Sequence, residues 1–371
     1  MKGSLVSLVV GTAVLAGAIA AAIAAPPSRA TNPLRVAMHA NTAGTLDVVV
    51  TNTGRKAARI PSWQLPGNDP TSQLFRVSRD GQPVAYEGKL AKRGLPQAED
   101  FVVLQPGRSY RAQVDLAEHY AMDQRGQYLV TLASPLQFAS LSGGQMLRSE
   151  RGLPMLLKSA PLRVWMDGQA AKNDRAGKGK PCNPRKQVCD GGGGGGGGGG
   201  TGVTFVGCSA TQSATAMDAM NQARSYSENA KNYLAGGTVG PRYTTWFGAY
   251  TSQRYATALD HYQSIDAALD QNAGQVKINC GCNQNYYAYV YPTRPYEIFV
   301  CRAFWSAPLA GTDSKGGTLV HEMSHFNVTA GTDDVVYGQS GAKSLALSDP
   351  NGALNNADSH EYFAENHPSQ N

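Results

Sequence analysis

The spacing of apolar positions changes part-way along the chain, and the change divides it in two. From Leu34 to about Trp165, apolar and polar residues alternate in short runs. Leu46–Gly54 is a β-branched run that stops at a glycine, Phe75–Val84 alternates around Asp80-Gly81, and Phe101–Gly107 ends in Pro-Gly. Tyr110–Leu116 and Tyr128–Leu132 have the same character. A period of two, broken at near-regular intervals by turn residues, predicts an antiparallel all-β sandwich of immunoglobulin-like type over residues 31–165.

Past residue 203 the period lengthens. Ala210–Leu234 and Thr251–Leu269 place apolar residues at helical spacing and are rich in alanine, which predicts two amphipathic helices. Three strand-like runs follow, Val276–Cys280, Tyr287–Tyr291 and Glu297–Cys301, the last two joined through Pro292–Pro295. A further helix opens after Gly316-Gly317, and short helices over Ala342–Leu347 and Ala357–Glu365 finish the chain. This order predicts an α+β domain over residues 204–371. Residues 166–203 show neither period. They are rich in Gly, Lys and Asp and include ten consecutive glycines, 191–200, so they read as a flexible linker.

The N-terminus adds a compartment. Lys2, an apolar run from Leu5 to Ile23 and small residues around Ala22-Ile23-Ala24 read as a signal peptide over residues 1–24. The run ends in Pro26-Pro27 and no other long apolar stretch follows, which predicts an exported protein with no membrane anchor once the signal is removed. Six cysteines, at 182, 189, 208, 280, 282 and 301, agree with an oxidising compartment and suggest three disulfides. Cys182 and Cys189 are near enough in sequence to close a small local loop.

Charge is unevenly spread. Residues 1–200 hold 24 Lys/Arg against 13 Asp/Glu, and residues 201–371 hold 9 against 14. The basic excess includes six Lys/Arg between Lys172 and Lys186 with no aromatic among them, which speaks for a solvated linker and against a nucleic-acid groove. Opposite signs on the two halves favour their association.

The candidate chemistry lies in Thr318–Phe326, which contains H-E-x-x-H as His321, Glu322 and His325. On a helix, positions four apart share a face, so both imidazoles reach one ion while Glu322 stands beside it to take a proton. A catalytic zinc needs a third protein ligand and an open position. No third His stands at the longer H-E-x-x-H-x-x-G-x-x-H spacing. Instead Gly331-Thr332-Asp333-Asp334-x-x-Tyr337-Gly338 follows, where an Asp after a turn can return to the ion and Tyr337 can reach a developing oxyanion. Spacing alone leaves Asp333 beside Asp334 as a rival ligand. Further on, Asp358 and Glu361 are three apart and share a helix face, a pair suited to a lysine ammonium. His261, His360 and His367 read as structural or solvated.

H-E-x-x-H followed by G-T-x-D-x-x-Y-G resembles the signature of the deuterolysin-type metalloendopeptidases, the aspzincins, and most nearly the fungal peptidyl-Lys metalloendopeptidases. The resemblance covers essentially all of Thr204–Asn371, including Arg242–Gly248, Phe304-Trp305 and Asn356–Pro368. It implies a zincin-type domain binding one catalytic zinc through His321, His325 and Asp334, with Glu322 as general base and Tyr337 stabilising the tetrahedral intermediate. It also implies cleavage of protein or peptide substrates on the amino side of Lys, selected by Asp358 and Glu361. The implied disulfides are Cys208–Cys280 and Cys282–Cys301, leaving Cys182 with Cys189.

Val49–Gly54 and Val103–Gly107 look, more loosely, like strand-and-turn signals of the fungal propeptide. The expectation is a zymogen in which the basic half covers the acidic half as an intramolecular pro-domain. Lys172, Lys178, Lys180 and Lys186 in the linker then offer sites for self-processing. Competing expectations are an endopeptidase of broader specificity that keeps its N-terminal region as a binding module, and a non-catalytic zinc-binding adhesin.

Overall fold

In a computed structural model of the chain, the residues described are 32–42, 44–67, 69–150, 152–168, 202–271 and 275–370. The expected signal segment, the glycine run and the expected Cys182–Cys189 pairing lie outside them. The N-terminal region runs β1 (Leu34–Thr42), β2 (Thr45–Asn52), β3 (Ala58–Pro61), β4 (Phe75–Arg79), β5 (Gln82–Pro83), β6 (Leu90–Lys92), β7 (Phe101–Leu104) and β8 (Ser109–Asp115). It continues through β9 (Gly126–Pro135), β10 (Ser140–Leu141), β11 (Gln145–Met146), β12 (Leu156–Lys158) and β13 (Leu162–Met166).

Apart from β6, these strands form three antiparallel sheets, ordered β1-β2-β8, β11-β10-β3-β7 and β12-β9-β4-β5, with β13 also on β9. Alternation sets what they bury. On β2, Leu46, Val48, Val50 and Asn52 point inward, and on β9 Tyr128, Val130, Leu132 and Ser134 do. These inward residues, Asn52 and Ser134 apart, belong to one apolar core with Leu74, Phe75 and Tyr120.

The C-terminal region holds β14 (Val203–Val206), α1 (Ala210–Ala235), α2 (Pro241–Phe247), α3 (Ser252–Leu269), β15 (Val276–Asn279), β16 (Ala288–Val290) and β17 (Glu297–Val300). Then come α4 (Arg302–Ser306), α5 (Lys315–His325), α6 (Gly338–Ser348), α7 (Pro350–Leu354) and α8 (Ala357–Glu365). Arg242–Gly248 is thus a helix, opened by Pro241 at its first turn, where a missing N–H costs nothing. Cys208–Cys280 and Cys282–Cys301 are bonded.

One strand crosses between the regions. The C-terminal sheet runs β14-β15-β17-β16-β6, so its last strand comes from the N-terminal half. β6 lies antiparallel on β16, with Leu90 opposite Val290, Ala91 opposite Tyr289 and Lys92 opposite Ala288.

α5 is buried along its whole length and packs against α1 and α8. Two glycines permit this approach. A Cβ on Gly316 would stand 2.6 Å from Gln222 of α1, and one on Gly317 would stand 2.1 Å from Glu365 of α8. Ser314 caps α5, its hydroxyl accepting from the Gly317 amide at 2.9 Å.

Candidate active site

α5 delivers His321 and His325 one turn apart, with ring centroids 4.8 Å apart. The chain then turns at Gly331, whose φ of +61° suits glycine, and returns Asp334 to the same place. Asp334 Oδ1 lies 3.2 Å from His321 Nε2 and 3.5 Å from His325 Nε2. Ligand atoms held at about 2.0–2.1 Å around a tetrahedral zinc stand roughly 3.3 Å apart, so the spacing fits that ion. His325 Nε2 and Asp334 Oδ2 are buried with no hydrogen-bond partner among the described residues, as unused metal donors would be. His325 Nδ1 meets the Thr332 carbonyl at 2.8 Å, which places its proton there and leaves Nε2 free to bind. Asp333 points elsewhere. Its carboxylate accepts from Asn355 Nδ2 at 3.0 Å, and it is absent from the metal-competent groupings of the described residues.

Electrostatics follows burial. Burial opposes the charge on Asp334, yet His325 and His321 hold its carboxyl well below the usual carboxylate range. For Glu322 burial outweighs its partners and pushes its carboxyl up to about 7 against the pull of the two imidazoles. Tyr337 is fully enclosed, and burial pushes its phenol upward, keeping it a proton donor. Asn356 fixes the loop between them, its Oδ1 accepting from the amides of Val335 at 3.1 Å and Val336 at 3.0 Å.

β6 passes directly over this cluster. The Lys92 amide points at Glu322 Oε1, 3.4 Å away, and the Tyr337 hydroxyl donates to the Ala91 carbonyl at 3.2 Å. The Ala91–Lys92 peptide bond therefore has the carboxylate of α5 on its nitrogen side and the phenol on its oxygen side. The Lys92 side chain runs into a buried acidic hole. Its Nζ lies 2.6 Å from Glu361 Oε2, 3.1 Å from Asp313 Oδ1 and 3.9 Å from Asp358 Oδ1. Burial works against its charge, but Glu361 and Asp358 hold it well above the ordinary lysine value. Asp358 Oδ1 and Glu361 Oε2 also stand 3.0 and 3.2 Å from His321 Nδ1, so the acidic hole abuts the metal cluster.

The Lysine-specific metallo-endopeptidase family model, Aspzincin_M35, matches residues 232–365. An extracellular protease of Aeromonas hydrophila is 40% identical over 329 residues, covering 88% of this chain and 89% of its own length. The chain belongs to the aspzincins. A peptidyl-Lys metalloendopeptidase of Pleurotus ostreatus is 51% identical over 167 residues, 44% of this chain and 98% of that protein. A solved zinc peptidase of Grifola frondosa is 45% identical and covers 44% of this chain and 100% of that one, at a TM-score of 0.42.

As an aspzincin the chain is a zinc metalloendopeptidase. All seven residues singled out from the sequence as metal-binding, catalytic or substrate-binding meet around the Ala91–Lys92 bond. His360 is buried with its Nε2 2.9 Å from His261 Nδ1, and burial pushes it down to about 3, the state of a neutral packing residue. His367 meets Thr312 at the surface. Sequence reasoning missed four groups in this aspzincin site. Lys92 and Asp313 sit in loops and short strands without period. Asn356 sits just before α8. Gln137 spans the two regions, donating to the Tyr337 carbonyl at 2.6 Å and accepting from the Tyr337 amide at 2.7 Å. The available signals were weak: a lysine near Gly94 and an Asp one residue before a helix cap.

Proposed function

We propose that the chain is the precursor of a secreted endopeptidase that cuts on the amino side of lysine, held inactive by its own N-terminal region. The observation that carries this is the seating of Ala91–Lys92. A peptide bond with lysine on its carboxyl side lies between the candidate base and the candidate oxyanion donor, with the ammonium among three carboxylates. That is how a substrate would lie.

His321, His325 and Asp334 are the residues that would hold zinc, leaving a position for water and substrate. Zinc there supplies Lewis acidity toward the scissile carbonyl and lowers the pKa of the attacking water. Glu322 takes the proton from that water and passes it to the leaving amine, the position the Lys92 nitrogen occupies at 3.4 Å. The Tyr337 hydroxyl donates to the carbonyl oxygen as negative charge develops on it. Glu361 and Asp358 bind the lysine side chain, and the Tyr287 ring, 5.1 Å from Nζ, flanks it.

In this reading the N-terminal sheets are an immunoglobulin-like pro-domain spanning residues 31–165, residues 1–24 are an export signal, and cleavage in the 166–203 linker begins maturation. The two disulfides and the extracellular relative support export. The test is direct. Wild-type protein secreted in pure culture should lose its N-terminal region, as N-terminal sequencing reads it, while Glu322→Ala remains full-length. Digestion of a protein mixture should give cuts before Lys that vanish with a chelator. Maturation of purified Glu322→Ala alone, or cuts before Arg as often as before Lys, overturns the reading.

A further inference from the structure

Two acidic residues of α8 explain a basic pocket ligand in outline, yet neither is free for that task alone. Asp358 Oδ1 and Glu361 Oε2 lie within 3.0 and 3.2 Å of His321 Nδ1, and Asp358 Oδ2 accepts from the Gly338 amide at 2.5 Å. Their charge is shared with the imidazole beside the metal cluster. A third carboxylate has no such second duty. Asp313 Oδ1 takes an aligned hydrogen bond from Lys92 Nζ at 3.1 Å. The same oxygen accepts from the Tyr362 hydroxyl at 2.7 Å, which fixes the carboxylate's direction.

The backbone is set with equal care. Asp313 adopts φ +52°, a left-handed conformation unusual for a side-chain-bearing residue. Glu365 holds it there. Its Oε2 accepts from the Asp313 amide at 3.2 Å, while its Oε1 accepts from the Ser314 amide at 2.8 Å and the Ser314 hydroxyl at 2.7 Å. The Asp313 side chain keeps 40% of its exposure, against 1% or less for Asp358 and Glu361. Asp313 is thus the exposed member of the three carboxylates, and it also lines a neighbouring cavity of about 510 Å³ with Thr312, Tyr337 and Gly338.

We propose that Asp313 is a specificity-determining residue that receives the ammonium of the substrate lysine. This rests on the lysine-directed reading above. An ammonium has three N–H donors, and Glu361, Asp358 and Asp313 are three carboxylates placed around it. Asp313 then adds to binding of a charged side chain and contributes nothing to an uncharged one of the same length.

The test uses the enzyme matured from the full-length chain and two peptides that differ only in lysine or norleucine after the scissile bond. Wild type should strongly prefer lysine; if it does not, the lysine-directed reading itself fails. Given that preference, Asp313→Asn should lower kcat/KM for the lysine peptide about tenfold, mainly through KM, with the norleucine peptide and the zinc content unchanged. Asp313→Gly removes the carboxylate while suiting the left-handed backbone, and should give the same selective loss even if the Asn variant folds poorly. A lysine-to-norleucine ratio within about twofold of wild type in the folded variants overturns the proposal. So does an equal fall on both peptides, which would mark Asp313 as structural only.

Discussion

The two regions bury very different things. The N-terminal sheets enclose an apolar core, and among the buried polar residues of that region only Lys92 is charged. The C-terminal region encloses every residue of α5 and α8, and these include three His, three Glu, one Asp and one Lys beside the apolar ones. An apolar core needs only shape, whereas buried carboxylates need partners. The N-terminal region supplies one such partner, Lys92, on a strand of three residues. Its contacts with the site residues run through β6 and Gln137.

Replacing Lys92 is the strongest way to break this contrast. Lys92→Met keeps the length and removes the ammonium, leaving Glu361 and Asp358 buried without their cation. Losing one partner of a buried ion pair costs about 3–5 kcal/mol. Full-length Lys92→Met should therefore melt well below the uncut parent, both compared as Glu322→Ala chains that cannot self-process. A melting temperature unchanged by the substitution would mean that the acidic hole does not depend on Lys92.

Glu322 gives a pH-dependent test of intermediate size. Its carboxyl is raised from 4.5 to about 7 by burial in the metal-free chain, so the folded state holds that proton more tightly than the unfolded state. The stabilisation is complete below about pH 4.5 and is lost as pH rises through about 7. Glu322→Gln mimics the protonated form at every pH. With chelator present from lysis onward, so that both chains stay uncut, the variant should match wild type near pH 4.5 and exceed it by about 2–4 kcal/mol at pH 8. Parallel denaturation midpoints across that range would refute the shift.

Outside the site the same charges do little. Lys89 meets Asp69 at 2.8 Å, but the Asp69 side chain is 68% exposed. Asp69→Asn should change stability by less than about 1 kcal/mol, and a larger loss would show that this surface pair shares in seating β6.

How much of this was legible follows from the range of the interactions. His321, Glu322, His325 and Asp334 lie within fourteen residues, and a helix followed by a glycine turn is enough to gather them. Asp358 and Glu361 are legible as a face of α8 for the same reason. Lys92 is not, because its partners lie more than 200 residues away and β6 is too short to show a period. Asp313 is hidden by its backbone, since a left-handed aspartate before a cap has no sequence mark. The strand order also exceeded the sequence. β16 and β17 were readable as strands, but nothing local says that β16 takes its outer neighbour from the other half of the chain.

That outer neighbour sets a condition on whatever replaces it. β6 reaches the cleft as an extended strand, matched residue for residue along the edge of β16. On the lysine-directed reading, a guest that enters the same way must straighten over at least three residues before its lysine reaches the acidic hole. A lysine in a stable helix is thus shielded by its own secondary structure, and the local unfolding of the guest becomes part of the selection. On that reading the edge of β16 selects backbone shape first, and side-chain charge second.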